Sequence, residues 1–171
     1  MTPPAAPPAA SPGPPAPLEF VLNGESAVYA GRGDARLLDV LRDVFRLTSV
    51  KCGCREGECG ACAVIFNDRL VNSCLVPAGM VALGSVTTLE GFRETERFAV
   101  LDRAYARFSA VQCGFCIPGM VLASEALLRR NPRPSPAEIR EGLSGNLCRC
   151  TGYNAIVEAV TLASKEGEGL W

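Results

Sequence analysis

Nine cysteines and no histidine set the chemistry open to this chain. Without an imidazole it cannot build a Ser-His-Asp triad, a Cys-His nucleophile, a His-ligated zinc site or a Rieske centre from its own residues. So many cysteines in 171 residues must serve as metal ligands, disulfides or both. Residues 1 to 18 hold no charged side chain, so the basic start of a secretory signal is missing. No apolar run approaches the roughly 18 residues of a membrane span. A cytoplasmic protein is therefore expected, and in a reducing compartment clustered cysteines are more often ligands than bridges. Lys+Arg 17 against Asp+Glu 18 leaves a net charge of -1, which excludes an extended basic footprint for nucleic acid.

The cysteines fall into two sets. Cys54, Cys59 and Cys62 are spaced C-x4-C-x2-C, with Cys74 following in the next hairpin, which is the plant-type 2Fe–2S arrangement. Such a cluster with four thiolates carries a net charge of about −2 when oxidised, so backbone N–H groups in a tight loop must solvate it. Gly53, Gly57 and Gly60 give that loop the freedom to approach the sulfides closely. The second set is Cys113-x2-Cys116 with Cys148-x-Cys150. Each pair lies just before an expected helix, whose unpaired N–H groups and dipole favour an anion. By spacing alone the second set suits zinc as well as iron, because four thiolates serve either metal.

Short elements must carry these loops. Leu18 to Leu22 alternates and meets Asn23-Gly24, a hairpin signal, before a second run at Ala27 to Tyr29. Asp34 to Arg46 is expected to be helical, with Leu37, Leu38, Leu41, Val44 and Phe45 inward. Ala63 to Phe66 and Leu70 to Leu75 read as strands around an Asn67-Asp68 turn, and Ser85 to Leu89 as the last strand. Beyond Gly91 the pattern turns helical. Phe98, Leu101, Tyr105 and Phe108 share one face, Pro118 opens a helix that runs to Arg130, and Ser135 to Glu138 form a capping box. Tyr153 to Lys165 is a fourth amphipathic helix. Met1 to Pro17, with 8 of the 13 prolines, reads as a disordered tail. The expected division is thus tail 1–17, a mixed domain 18–91, a helical domain 92–165 and a short end at 166–171.

Four segments resemble the iron–sulfur subunit of the xanthine oxidase family of molybdenum hydroxylases. They are Lys51–Cys62 (KCGCREGECGAC), Val71–Pro77 (VNSCLVP), Val111–Met120 (VQCGFCIPGM) and Leu143–Tyr153 (LSGNLCRCTGY). The likeness spans about residues 18 to 165 in unbroken order and favours iron over zinc. It implies an α+β protein: a β-grasp ferredoxin-like domain holding one 2Fe–2S cluster through Cys54, Cys59, Cys62 and Cys74, then a four-helix domain holding a second through Cys113, Cys116, Cys148 and Cys150. It further implies that Gln112 and Cys150 approach the molybdopterin of a large partner subunit, and that a medium subunit binds FAD.

The resemblance makes the chain an electron-relay subunit with no catalytic acid, base or nucleophile of its own and no direct small-molecule substrate. The helical-domain cluster would take electrons first and the ferredoxin-like cluster would pass them on. Purines such as xanthine lead the substrate classes for the complex, with nicotinate-like heterocycles, aldehydes and carbon monoxide also open. A free-standing two-cluster ferredoxin is the alternative, but 48% hydrophobic residues and a net charge of -1 suit burial between partners better than transient docking. Three features depart from the family pattern. Cys52 is a ninth cysteine, expected to be a small buried or idle thiol. Ile117 stands where threonine is common, and the Pro/Ala tail is unusual.

Overall fold

The computed structural model describes residues 16–171, so nearly all of the expected Pro/Ala tail lies outside the described residues. Strands β1 (Leu18–Leu22) and β2 (Glu25–Tyr29) form a hairpin in register from Leu18 opposite Tyr29 to Leu22 opposite Glu25. Its turn residues Asn23 and Gly24 both take positive φ, 55° and 87°, as a two-residue hairpin with right-twisted strands requires. Strands β3 (Ala63–Phe66) and β4 (Arg69–Asn72) make a second hairpin around Asn67-Asp68. Strand β5 (Ser85–Thr87) lies between the hairpins, parallel to β1 and antiparallel to β3, giving the order β2-β1-β5-β3-β4.

Three expected boundaries change. The helix expected over 34–46 is one α turn, α1 (Leu37–Asp39), continuing into a π turn at Val40–Val44. The wider i→i+5 turn rotates the later positions off the inward face. Val44 is accordingly 55% exposed, whereas Leu37, Leu38 and Leu41 are fully buried and Phe45 packs edge-on against Phe20. The strand expected to reach Leu75 ends at Asn72, and Cys74 sits in a 3-10 turn, Ser73–Leu75. Both the backbone N–H and the hydroxyl of Ser73 donate to the Cys62 carbonyl, which draws the chain out of the ladder. Finally, β5 stops at Thr87, and Leu89 opens a short helix, α2 (Leu89–Phe92).

Four longer helices follow, α3 (Glu96–Arg107), α4 (Ile117–Arg130), α5 (Pro136–Gly142) and α6 (Asn154–Glu166). Thr95 caps α3 by accepting from the Phe98 N–H, and Ser135 with Glu138 forms the expected reciprocal capping box on α5. The mixed α+β architecture has two apolar cores. One gathers Phe20, Leu37, Leu38, Leu41, Val64 and Val86 beneath the sheet. The other gathers Leu101, Met120, Leu128, Ile139, Leu143 and Ile156 among the helices. Alternation along β3 joins them, because Val64 faces the first core and Ile65 the second. Burying one such isoleucine contributes about 1.5–3 kcal/mol, so the sheet is packed on both faces.

Candidate metal centres

The first cysteine set sits on a loop closed by the Lys51 N–H donating to the Ala61 carbonyl at 3.1 Å. Within it the N–H groups of Glu56 and Cys59 point at the Cys54 sulfur at 3.3 and 3.4 Å, and the Cys54 N–H points at the Cys59 sulfur at 3.4 Å. Those donors, the Glu56 N–H above all, bring the Cys54 thiol down to about 7. A Cβ on Gly53 would lie 2.6 Å from the Cys59 sulfur, so any side chain there would occupy the sulfur's place. Cys62 and Cys74 are buried against one another beneath this rim. Burial, reinforced by the adjoining Cys74, pushes the Cys62 thiol up to about 11.

Both pairs of the second set converge at helix starts, as their sequence positions imply. Cys116 is the N-cap of α4, and Cys148 and Cys150 precede α6. The sulfurs of Cys113 and Cys150 lie 3.6 Å apart on the exposed side. Cys116 is buried next to Cys148, and burial, with Cys148 adding to it, pushes its thiol up to about 12. Burial also works against ionisation at Cys148, but the Thr151 hydroxyl, 3.1 Å from its sulfur, and nearby backbone N–H groups outweigh that and lower it.

All nine cysteines are free thiols. Among the described residues no three Cys, Asp or Glu side chains gather as they would around a single ion. The thiols instead come in twos, Cys54 with Cys59, Cys62 with Cys74, Cys113 with Cys150 and Cys116 with Cys148. A 2Fe–2S cluster asks for that donor set, since its four cysteine thiolates divide two to each iron. Thiol-directed N–H groups and the two helix starts supply the compensating positive potential. The residues present fit the group.

The two loops touch directly. The Leu147 N–H, one residue before Cys148, donates to the Cys59 carbonyl at 2.9 Å. Beside it the buried Asn146 side chain donates to the Gly60 carbonyl at 3.0 Å. A Cβ on Gly119 would come within 2.4 Å of that same carbonyl, so α4 and the first loop are in backbone contact.

Gln112 is exposed on the loop before α4, on the same run as Cys113 and Phe115. Cys52 is exposed rather than buried. Its sulfur accepts from Arg55 Nε at 3.2 Å, and Arg55 also pairs with Asp39. Sequence reasoning assigned no role to Asn72, Ser73, Asn146, Thr151 or Tyr153, although all five lie inside the segments that carry the resemblance. Asn72 donates to the Gly57 carbonyl, and the Tyr153 hydroxyl accepts from the Cys148 N–H at 2.8 Å. Their shared signal was a polar side chain or a hydroxyl within about three residues of a ligand cysteine.

Residues 20–83 match the family described as "2Fe-2S iron-sulfur cluster binding domain", and residues 88–161 match "[2Fe-2S] binding domain". The chain is 50% identical to the nicotinate dehydrogenase small FeS subunit of Eubacterium barkeri, over 85% of this chain and 93% of that one. It is 42% identical to the xanthine dehydrogenase iron-sulfur-binding subunit of Escherichia coli O157:H7, over 84% and 91%. Among solved structures, quinoline 2-oxidoreductase from Pseudomonas putida 86 superposes with a TM-score of 0.83 at 38% identity, covering 89% of this chain and 94% of that one.

Proposed function

Because the chain belongs to the iron–sulfur small subunits of the xanthine dehydrogenase family of molybdenum hydroxylases, we propose that it relays electrons from a molybdopterin-bearing large subunit to an FAD-bearing medium subunit. In this reading Cys54, Cys59, Cys62 and Cys74 hold one 2Fe–2S cluster in a β-grasp domain, and Cys113, Cys116, Cys148 and Cys150 hold the second in a four-helix domain. Each cluster supplies a one-electron store. The residues of this chain set where the two stores sit, how their charge is compensated and which faces meet the partners. The observation that carries the proposal is the contact of two complete four-cysteine sets through the Leu147–Cys59 hydrogen bond.

The faces support a direction. Cys113 and Cys150 are exposed, and Val111, Phe115 and Leu147, within two or three residues of them in the chain, are each 46–55% exposed. Apolar side chains of this size around a ligand pair mark a surface covered by a partner. That surface, with Gln112 and Cys150, is the entry side toward the pterin. The rim of the first loop, with exposed Arg55, Glu56 and Glu58, is the exit side. The nicotinate, xanthine and quinoline named for the relatives above support an N-heterocycle as the substrate class of the complex, bound outside this chain, over the aldehydes that other relatives' names carry. Among the described residues no helix is long and apolar enough to cross a membrane.

Metal analysis tests the reading. The purified chain should hold about four iron atoms and four sulfides, with two distinct resonance signals on reduction. Cys52→Ser should leave both signals intact, and Cys59→Ser should abolish one. Zinc in place of iron, or a cluster lost with Cys52, would overturn the ligand assignment.

A further inference from the structure

We propose that Asn146 is a positioning residue that fixes the separation of the two cysteine loops, and that the Tyr153 hydroxyl is its anchor on the helical side. The proposal rests on the two-cluster reading for its purpose and on the geometry of the seam for its substance.

Asn146 is 4% exposed, one of few buried polar side chains among the described residues. Its amide nitrogen crosses from the helical half to donate to Gly60, a separation of 86 residues in sequence. Its own backbone N–H is satisfied by the Leu143 carbonyl. Its backbone carbonyl accepts from the Tyr153 hydroxyl at 3.1 Å, and that hydroxyl accepts in turn from the Cys148 N–H. A continuous chain of hydrogen bonds therefore runs from Gly60, between two first-set cysteines, through Asn146 and Tyr153 to Cys148 in the second set. Tyr153 is held for this task in a left-handed conformation at φ 68°, an uncommon one for a bulky residue.

The seam has little slack. A Cβ on Gly60 would meet the Gly145 carbonyl at 2.3 Å and the Asn146 side chain at 2.6 Å. In so close a fit the Asn146 amide fills the space beside the Gly60 carbonyl. Losing the donor leaves that carbonyl with the Ala63 N–H alone, at 3.1 Å, and removes the side-chain hydrogen bond that joins the two loops, so they part more readily. Electron tunnelling falls off exponentially with distance, so a seam that opens even briefly slows transfer between the sets. A side chain that touches neither sulfur nor any partner surface thus controls the spacing on which relay depends.

Asn146→Ala removes the donor. Asn146→Asp keeps the shape but sets a carboxylate against a carbonyl, and Tyr153→Phe cuts the anchor while leaving the Asn146 amide in place. Hydrogen exchange of the peptide containing Leu147 should accelerate about tenfold in the two Asn146 variants, the effect of losing one buried hydrogen bond on an opening equilibrium. Tyr153→Phe should show a smaller change in the same direction. In the reduced chain the magnetic splitting between the two centres should weaken and broaden, while iron content stays at the wild-type value. Exchange is read in whichever metal state the chain is purified, so it judges the clamp even where metal analysis overturns the cluster reading. Wild-type exchange and wild-type splitting in both Asn146→Ala and Tyr153→Phe would overturn the proposal.

Discussion

Replacing Gly60 with alanine probes the seam from the opposite side, and Gly114 provides its control. Both residues have positive φ, 66° and 82°, so an alanine at either carries the same left-handed strain, about 1 kcal/mol. Reduced freedom of the unfolded chain offsets roughly 0.4–1 kcal/mol of it in both cases. The two differ in what the new methyl group meets. At Gly114 nothing lies within 4 Å, whereas at Gly60 the backbone oxygen of Gly145 stands at 2.3 Å. A backbone carbonyl cannot rotate away, so Gly60→Ala adds an overpacking term of about 3 kcal/mol, the upper end of the usual range. For a chain of this size that difference lowers the melting temperature by about 6–12 °C relative to Gly114→Ala. Thermal unfolding followed by circular dichroism on both variants, purified alike, measures it. A Gly60→Ala melt within about 2 °C of Gly114→Ala would mean that the loops are not in backbone contact, and the account of the seam would fail with it.

Three further outcomes are expected. Thr151→Val removes the hydroxyl 3.1 Å from the Cys148 sulfur. Electron density then stays on the thiolate, and the reduction potential of the centre at that set should fall by about 40 mV, the equivalent of one modest hydrogen bond for a single electron. A redox titration showing no change would remove Thr151 from the site. Glu90 ties α2 to the loop ahead of the first set, accepting from the Ser49 hydroxyl at 2.5 Å, the Thr88 hydroxyl at 2.6 Å and the Ser49 N–H at 2.9 Å. Burial opposes its ionisation, yet those hydrogen bonds outweigh it and hold the carboxyl below its ordinary value. Stabilisation from a lowered carboxyl is present above the unfolded value and is lost as pH falls through the folded one. Glu90→Gln should therefore be less stable by about 1 kcal/mol at neutral pH, discounted for its partial exposure, and should show a flatter loss on acidification. Parallel pH profiles of wild type and variant in urea titrations would contradict this. Glu125, wholly buried in α4, is held by Arg97, Arg129 and the indole N–H of Trp171. Glu125→Leu should destabilise by about 2–3 kcal/mol, less than a sealed ion pair would because both arginines can still reach water, and should red-shift the emission of the lone tryptophan. Unchanged emission would place Trp171 elsewhere.

What could be read from the sequence, and what could not, divides along a physical line. Cysteine grouping was legible because ligand chemistry constrains residues close together in the chain, and Cys54, Cys59 and Cys62 can share a loop only in a few ways. Helices α3 to α6 were legible because their apolar periods and the Ser135–Glu138 box are local signals. The π turn at Val40–Val44 was not, since its apolar spacing is the same as that of an α-helix and only packing against the sheet selects the wider turn. Cys74 was placed in a strand because its neighbours Leu70, Val71 and Leu75 have strand character. The Ser73 hydroxyl, bonded to a carbonyl 11 residues back, overrides that character.

Glu125 shows the same limit from the side of electrostatics. In sequence it interrupts an apolar helix and invites an outward placement, because an isolated carboxylate in a core is costly. Its burial becomes possible only when Arg97 from α3, Arg129 one turn on and Trp171 from beyond α6 arrive together. Arg129 also reaches Asp68 in the β3–β4 turn, so this network ties the sheet hairpin to the helical core on the hairpin's far end from the cysteine loops. The two halves are then fastened at two places by different means, charge at the Asp68 turn and close backbone fit at Gly60 and Gly119. A hinge needs one fastening and free surface elsewhere. With fastenings at both ends of the β3–β4 hairpin, rotation between the halves would have to break one of them, so contacts within the chain hold the cysteine sets at their spacing.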